Sequence, residues 1–211
     1  MYCPAHFAET RPEVLHALMR EHPLATLVTM ADDSLNADHI PLILETADDG
    51  SPVLRGHVAR ANPVWKTLRA DVDALAIFRG PDAYITPSWY PTKREHGKAV
   101  PTWNYAVVHA RGPLSVIHEA DRLRRQVESL TQQQESAFAE PWAVSDAPAD
   151  YVEKMLAAIV GIELTITSLE GKWKTSQNQP AGNRAGAAQG LQALGTDQAR
   201  AMAQLIGLSS A

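Results

Sequence analysis

The sequence predicts an α+β protein, mainly β with peripheral helices, in which six or seven short strands form an antiparallel barrel. Short apolar segments recur at the spacing of β-hairpins and are separated by turn-forming residues. Segments with helical periodicity are concentrated at the start and in the second half of the chain. The strand–helix alternation of a parallel sheet is missing, as is any GxGxxG or GxxxxGK[ST] phosphate loop. These observations favour an antiparallel barrel over a doubly wound fold.

Length and composition are those of one soluble domain with at most a small appendage. The 211 residues can bury a full core without disulfides, and 45% hydrophobic with 20% charged residues is an ordinary globular composition. The single cysteine, Cys3, excludes an intrachain disulfide and favours a reducing cytosol. Neither a signal peptide nor a membrane span is predicted. With a net charge of −5, nucleic acid would have to bind at a local basic patch.

The first half of the chain is predicted to contain one full helix, several strands and one short helix. Thr10 and Glu13 have the spacing of a capping box, which predicts a helix that ends before Pro23. Asn62 and Pro63 are a favourable N-cap and first-turn pair for the short helix. The strands are predicted at residues 24–30, 36–45, 53–58 and 74–78, with turns at 32–34 and 48–51.

The second half is predicted to complete the barrel and then to become helical. Residues 91–98, between two predicted strands, are expected to form a long loop. Strands are expected at residues 84–86, 100–110 and 162–166, and Gly112-Pro113 is expected to break the second of these before residues 114–117. Helices are expected at residues 119–134, 148–160, 184–194 and 197–206.

Residues 83–112 carry the strongest functional signal, because aromatic and basic side chains are concentrated there. The stretch contains Trp89 and Trp103, and the basic residues of its loop are Lys93, Arg94, His96 and Lys98. A long loop of this composition is typical of a binding edge. The alternative is structural, with the aromatic side chains filling the barrel and the basic run solvated. The residues alone leave both interpretations open.

Two further segments have the composition of a binding site. Residues 55–62 leave a strand and enter a helix, where free backbone N–H groups and Arg60 could hold a phosphate. In residues 171–178, Trp173 could stack on a flat ring. The polar edge of that ring would then meet Lys174, Ser176 and Gln177. The competing interpretation of this segment is a surface loop whose tryptophan covers the barrel end.

Other common chemistries have little support. The eight histidines lack zinc spacing, so no metal is predicted, although His39 and His57 could face each other on neighbouring strands. Ser88 has neither a GxSxG context nor an evident His–Asp relay. A basic strip on the helix predicted at 119–134 is interpreted as a solvated face and consists of Arg122, Arg124 and Arg125.

Motifs spread along the chain read MYCPAHF, LRGHVARANP, YITPSWY, VPTWNY and GKWKTSQN. Together they resemble the PaiB-like family of FMN-binding negative transcriptional regulators, from Met1 to about Arg184. The resemblance implies a six-stranded antiparallel FMN-binding split β-barrel at residues 1–180, with 181–211 as a C-terminal helical extension packed on the barrel. It also implies a cytoplasmic homodimer that holds FMN non-covalently near the subunit interface. The wider relatives would be the flavin-reductase and pyridoxamine-phosphate-oxidase-like barrels.

The resemblance further implies which residues contact the flavin. These are Asp38, His39, Arg55, Gly56, Arg60, Asn62, Tyr84, Ser88, Trp89, Thr102, Trp103, Asn104, Lys172, Trp173, Lys174 and Gln177. The related barrels often have a pair of cations after the third strand. This chain has Arg60-Ala61-Asn62 there, which is one cation fewer.

The functional expectation from the resemblance is regulation through DNA or a protein partner. Two alternatives remain open: a small FMN-dependent oxidoreductase, and a haem- or flavin-binding sensor without turnover. The sequence identifies no catalytic residue, substrate or electron donor.

Overall fold

The computed structural model describes residues 1–31, 34–47, 49–69 and 71–208. The turn predicted at Asp32 and Asp33 therefore lies outside the described residues, as do Asp48 of the next predicted turn and residues 209–211. The chain divides into two compact units. The first unit comprises Met1–His22, Arg79–His109 and Glu170–Ala211, and the second unit comprises Pro23–Phe78 and Ala110–Leu169.

Strands and helices follow one another along the described part of the chain. The strands are β1 (Ala8–Glu9), β2 (Leu24–Ala31), β3 (Ser34–Pro41), β4 (Ile43–Thr46), β5 (Pro52–Ala59), β6 (Ala74–Ile85), β7 (Thr102–Gly112), β8 (Leu114–Ile117), β9 (Ile159–Thr165) and β10 (Ser168–Lys174). The helices are α1 (Pro12–Glu21), α2 (Val64–Thr67), α3 (Pro91–His96), α4 (Ala120–Glu135), α5 (Ala149–Ala157), α6 (Ala181–Leu194) and α7 (Asp197–Leu208).

The strands form two sheets. One has six strands in the order β1-β10-β7-β6-β2-β3, and the other has four in the order β4-β5-β9-β8. Antiparallel pairing joins β1 to β10, β2 to β3 and β6, β5 to β4 and β9, and β8 to β9. The predicted α+β class, mainly antiparallel sheet with several helices, is therefore confirmed.

The C-terminal helices contribute directly to the core of the first unit. One buried cluster joins side chains of α6 and α7 to the end of β6 and includes Ile85, Tyr90, Leu191, Met202 and Ile206. Each of these five side chains is at most 2% exposed, so the helices bury substantial apolar surface.

Helix α6 lies in close contact with Trp89. A Cβ placed on Gly186 would lie 2.1 Å from the Trp89 carbonyl oxygen, and one on Gly190 would lie 2.3 Å from the indole ring. Such distances are far below van der Waals contact, so only glycine fits at these two positions. Gly186 and Gly190 thereby allow Trp89 to lie directly against the backbone of α6.

In the second unit, the four-stranded sheet is covered by α4 and α5. Leu54 of β5 and Leu164 of β9 are fully buried in register with each other. The helices add an apolar cluster whose buried members are Ile117, Leu123, Val144, Val152 and Leu156. This arrangement leaves the polar side chains of α4 beside the strands, where the structure forms a cavity described below.

Two predictions for the first half of the chain were wrong in detail. Helix α1 begins at Pro12 with Arg11 as its N-cap, and no side chain caps it; instead the Arg11 N–H donates to Glu9. The Thr10–Glu13 capping box is therefore not formed. The strand predicted at 36–45 is split, because Pro41 ends β3 at a sheet edge and β4 starts at Ile43 in the other sheet.

Three predictions for the second half were also wrong. Segments 74–78 and 84–86, predicted as separate strands, belong to the single strand β6. Residues 91–98 contain helix α3, which starts at Pro91 and is closed by Gly97 with φ +71°, a left-handed value that suits glycine. Residues 171–178, for which a surface loop was one interpretation, are partly a strand, since β10 runs to Lys174.

Candidate functional site

The candidate residues of the second unit lie on β3 and around the end of β5. Asn62 donates from Nδ2 to Asp38 Oδ1 at 2.8 Å, and its own Oδ1 accepts the Val64 N–H at 2.9 Å. Asp38 Oδ2 accepts a further hydrogen bond from Asn36 Nδ2 at 2.5 Å. Asn62 thus forms a turn just before α2 and ties that turn to β3. The N-cap of α2 is Pro63 and no side chain caps the helix, so the predicted pair of Asn62 as N-cap and Pro63 as first helical residue was wrong by one position.

The two histidines of this region lie in different sheets. His39 is exposed on β3, opposite Thr26, whose Oγ1 is 3.1 Å from His39 Nδ1. His57 lies opposite Gly161 on β9, so the expectation that the two histidines face each other on neighbouring strands was wrong. Burial lowers the pKa of His57 below its ordinary value. Across the described ranges, no group of three or more His, Cys, Asp or Glu could hold a metal ion.

Arg60, one residue beyond β5, is held by neutral groups. Its Nε donates to the carbonyl oxygen of Ala157 at 2.7 Å and its Nη2 to that of Ile159 at 2.8 Å. Among residues that the structure describes, no carboxylate pairs with this guanidinium. Arg60 is exposed, so its charge is both oriented and unneutralised.

Arg55 and Gly56, inside β5, are occupied by their own chain. The Arg55 guanidinium bonds Glu45 through Nη1 and Glu163 through Nε, each at 2.6 Å. A Cβ on Gly56 would lie 2.6 Å from the Pro41 carbonyl oxygen. The close approach that Gly56 permits in this structure is therefore that of a neighbouring segment.

The candidates of the first unit form an exposed aromatic pair beside a lysine. The rings of Tyr84 and Trp103 meet edge to face at 6.0 Å and are 48% and 54% exposed. On β7, the residue before Trp103 is Thr102, whose Oγ1 accepts a hydrogen bond from Lys174 Nζ at 2.5 Å. Because side chains alternate along a strand, Thr102 and Trp103 point to opposite faces.

Ser88 and Trp89 lie in a short 3-10 helix before α3. Ser88 is exposed, and its Oγ accepts a hydrogen bond from Lys93 Nζ at 3.1 Å. Trp89 is partly exposed and contacts α6 as described above. This segment therefore connects the aromatic stretch to the basic helix α3.

Strand β10 places the late lysine–tryptophan motif largely in the core. Lys172 is 8% exposed, and its Nζ donates to the Tyr2 carbonyl oxygen at 3.0 Å and lies over the rings of Tyr2 and Tyr105. Trp173 is 9% exposed. Gln177 closes the following turn, since its amide donates to the Trp173 carbonyl and accepts from the Thr175 N–H. These side chains brace the segment from inside.

Asn104 lies in a buried cluster of polar side chains with Ser176 and Tyr90. Its Nδ2 donates to Ser176 Oγ at 2.9 Å, while its Oδ1 is buried with no hydrogen-bond partner in the described part of the chain. Ser176 has φ +65°, an unusual value for a residue other than glycine. Burial raises the pKa of the nearby Tyr90 phenol, and the Ser176 hydroxyl opposes that shift, although the phenol oxygen makes no hydrogen bond with the described residues.

Within each unit, the structure brings together some of the predicted residues. Asp38 meets Asn62, Thr102 meets Lys174, and Tyr84 meets Trp103. Arg55 is instead drawn into an ion-pair network. Sequence reasoning did not find the roles of Tyr2 and Tyr90. A signal for Tyr2 existed in the MYCPAHF motif, but the burial of Tyr90 depends on distant helices.

Family membership follows from similarity to known proteins. Residues 1–168 match the family model described as "Putative FMN-binding domain". The chain is 36% identical to an uncharacterized protein of Emericella nidulans, over 98% of this chain and 96% of that protein. It is 32% identical to protease synthase and sporulation protein PAI 2 of Bacillus subtilis, again over 98% of this chain and 96% of the relative.

A solved structure shares the fold. The FAD and heme binding protein from Mycobacterium smegmatis superimposes with a TM-score of 0.59 at 21% identity, covering 79% of this chain and 73% of that one. The likeness concerns the fold alone. In the described ranges, no helix is long and apolar enough to cross a membrane.

Proposed function

This chain belongs to the PaiB-like family of FMN-binding domains, and from that premise we propose a homodimer that holds FMN non-covalently at its subunit interface and acts as a regulator. Family membership gives the cofactor. The proposal adds the residues that bind FMN, the dimer, the regulatory role and a cytoplasmic location. The cytoplasmic location is supported by the single cysteine, Cys3.

The unneutralised charge of Arg60 is the observation that carries the proposed phosphate contact. A guanidinium has five N–H donors, and the bonds to Ala157 and Ile159 use only its Nε and Nη2 groups. Neutral carbonyl oxygens orient the planar fork without cancelling its charge. An FMN phosphate therefore fits Arg60, because a charge-assisted, two-point bond to an oxyanion is what this fork favours.

The exposed pair Tyr84 and Trp103 supports a ring contact. A flat isoalloxazine can stack on an exposed indole, and Tyr84 holds that indole by its edge. Lys174 donates a hydrogen bond to Thr102 on the opposite face of β7 and has two further N–H groups, so we propose that these two residues contact a polar group of FMN other than the ring that stacks on Trp103. We assign the ring contacts to Tyr84 and Trp103.

Bound FMN supplies a ring that can accept and release electrons. The protein's part is to orient and shield that ring. We propose that the other candidates contribute further polar contacts or support the backbone behind the contacts: Asp38, His39, Arg55, Gly56, Asn62, Ser88, Trp89, Asn104, Lys172, Trp173 and Gln177. The burial of Lys172 and Trp173 and the internal bonds of Gln177 favour support over contact.

Calorimetric titration with FMN tests the phosphate assignment. Arg60→Ala should weaken FMN binding by about 1.5–3 kcal/mol, because a charge-assisted hydrogen bond to phosphate is lost. Arg69→Ala is the control, since Arg69 is exposed and pairs only with Asp71 among the residues described. Equal FMN affinity in wild type and Arg60→Ala would remove Arg60 from the site.

The dimer proposal rests on exposed apolar surface in the first unit. Val100 is 74% exposed, close in sequence to the half-exposed Trp103, and Tyr84 adjoins the indole. Exposed aromatic side chains of this kind are typical of interfaces. Sedimentation should show a species of twice the 23.0 kDa chain mass, and Trp103→Glu should shift it to the monomer. A wild type that sediments as a monomer at micromolar concentration contradicts the proposal.

The regulatory proposal rests on helix α3. Lys93, Arg94 and His96 are exposed on this helix and Lys98 follows it, which gives a local basic patch on an acidic chain. If the patch contacts DNA phosphates, replacing Lys93, Arg94 and Lys98 by Ala should flatten the salt dependence of DNA binding while FMN affinity stays unchanged. Replacing Arg124, Lys154 and Arg200 removes equal charge elsewhere and is the control.

NAD(P)H consumption without DNA binding would instead support the oxidoreductase alternative.

A further inference from the structure

A cavity of about 700 Å³ opens in the second unit beside helix α4. Residues of α4 form one wall, and polar side chains from β4, β5 and β9 form the other. Apart from Arg55, none of its lining residues belongs to the proposed FMN contacts. Its size lies within the range of small-molecule sites.

The strand side of the cavity is an organised ion-pair network. Arg55 bonds Glu45 and Glu163, and Arg122 of α4 adds a second bond to Glu163 at 3.2 Å. Ser129 of α4 donates to the other oxygen of Glu45 at 2.8 Å. The prediction that Arg122 belongs to a merely solvated face was therefore wrong. The network neutralises these two carboxylates, so the cavity does not repel an anion through them.

The helix side contains a buried carboxamide without partners. Gln126 is 3% exposed, and neither its Nε2 nor its Oε1 has a hydrogen-bond partner within the described residues. It lines the cavity, one turn after Arg122, and its Oε1 lies above Gly161 of β9. An unsatisfied buried donor and acceptor are costly to keep, which suggests that another molecule supplies the missing bonds.

Arg125 supplies a cation to the same cavity. Its guanidinium makes no ion pair or hydrogen bond with the residues described, in contrast to Arg55 and Arg122. Arg125 therefore offers a cation without an ion-pair partner among the described residues, together with one donor and one acceptor of the Gln126 carboxamide. Asp49 also lines the cavity; it is exposed and keeps its negative charge while its carboxylate accepts hydrogen bonds from the Ser51 N–H and hydroxyl.

We propose that this cavity is a second ligand site, which binds a small organic anion whose carboxylate or phosphate adjoins an amide-like edge. The anionic group would meet Arg125. The amide-like edge would present one acceptor and one donor to Gln126, as a carboxamide pairs with an amide or an imide. Such a site could let a metabolite affect the protein without occupying the flavin position.

Calorimetry on the full chain, with and without saturating FMN, tests the proposal with three probes. N-acetylglycine carries a carboxylate and an amide, uridine 5′-monophosphate carries a phosphate and an imide, and acetate carries the anion alone. At least one of the first two should bind about tenfold more tightly than acetate, equally well with or without FMN. The tighter of the two identifies the anionic group.

Two variants separate the contributions of the cavity side chains. Gln126→Leu should remove the advantage of the amide-bearing probe over acetate, a loss of about tenfold. Arg125→Ala should weaken the probe and acetate alike. Arg124→Ala is the matched control, because Arg124 lies on the same helix but does not line the cavity.

Three outcomes would overturn the proposal. One is that no probe binds better than acetate. Another is that Gln126→Leu leaves probe binding unchanged, which would mean that the Gln126 carboxamide does not contact the ligand. The third is an equal loss in Arg124→Ala and Arg125→Ala, which would indicate only diffuse attraction of anions.

Discussion

Arg55 and Arg60 lie within six residues of each other around strand β5, yet the structure uses them in opposite ways. Arg55 is 23% exposed at its side chain and bonds two carboxylates at 2.6 Å. Arg60 is exposed and bonds only the carbonyl oxygens of Ala157 and Ile159. One guanidinium is neutralised inside its unit, and the other keeps its charge at the surface.

The difference shows that the role of an arginine is set by its partners. A guanidinium between carboxylates contributes to stability, because its removal leaves uncompensated charges. A guanidinium oriented by neutral groups is available to an anionic ligand. The motif LRGHVARANP contains both arginines, so the sequence motif alone does not distinguish these two roles. The pairing of β5 with β4 and β9 does distinguish them.

The largest expected effect is on stability. Arg55→Met should lower the free energy of unfolding by about 2–3 kcal/mol, because Glu45 and Glu163 lose their main cation in a mostly buried setting. Arg60→Met, which breaks no ion pair that the described residues make, should leave the unfolding curve close to wild type. Urea denaturation of the FMN-free variants measures both. Equal destabilisation by the two substitutions would break the comparison.

A second prediction concerns Gly56, which lies between the two arginines in the sequence. Gly56→Ala should destabilise the protein by about 1–3 kcal/mol, because the added Cβ would lie 2.6 Å from the Pro41 carbonyl oxygen and 2.7 Å from Leu42. Gly207→Ala is the control, since nothing lies within 4 Å of its Cβ position. Calorimetric melting curves separate the two. A stable Gly56→Ala protein with weakened FMN binding would show that Gly56 serves the ligand instead.

Much of the fold could be predicted from local patterns. Strands β2 and β5 were expected from short apolar segments, and helices α6 and α7 from the composition rich in Ala, Gly and Gln after Pro180, in each case to within a few residues. Helix α3 was missed although its signals were present, with Pro91 at the start and Gly97 at the end. Strand β10 was missed because buried Lys172 breaks the usual polar and apolar alternation, and its burial depends on Tyr2 and Tyr105.

The chemistry of the site was less accessible to sequence analysis. The pairing of Arg55 with Glu163 joins residues 108 positions apart, so no local pattern reports it. The same holds for Lys174 with Thr102, which are 72 positions apart. The resemblance named both arginines as flavin contacts, whereas only tertiary contacts distinguish a neutralised cation from a free one.

The smallest expected effect tests whether the middle of β5 behaves like its arginine neighbours. Burial lowers the pKa of His57 from an ordinary value of 6.5, so the folded protein binds fewer protons there than the unfolded chain. Stability should therefore be highest above about pH 6.5 and fall as the pH drops below it, since protonation favours the unfolded state. His57→Gln should reduce the loss of unfolding free energy between pH 7 and pH 5, which chemical denaturation at the two pH values measures. His16, whose pKa is also lowered, chiefly by burial, remains in the variant, so a residual slope is expected. If the pH dependence of the unfolding free energy is unchanged in His57→Gln, His57 is not buried as a neutral side chain. The polar side chains of β5 would then be more exposed than the contacts of Arg55 indicate.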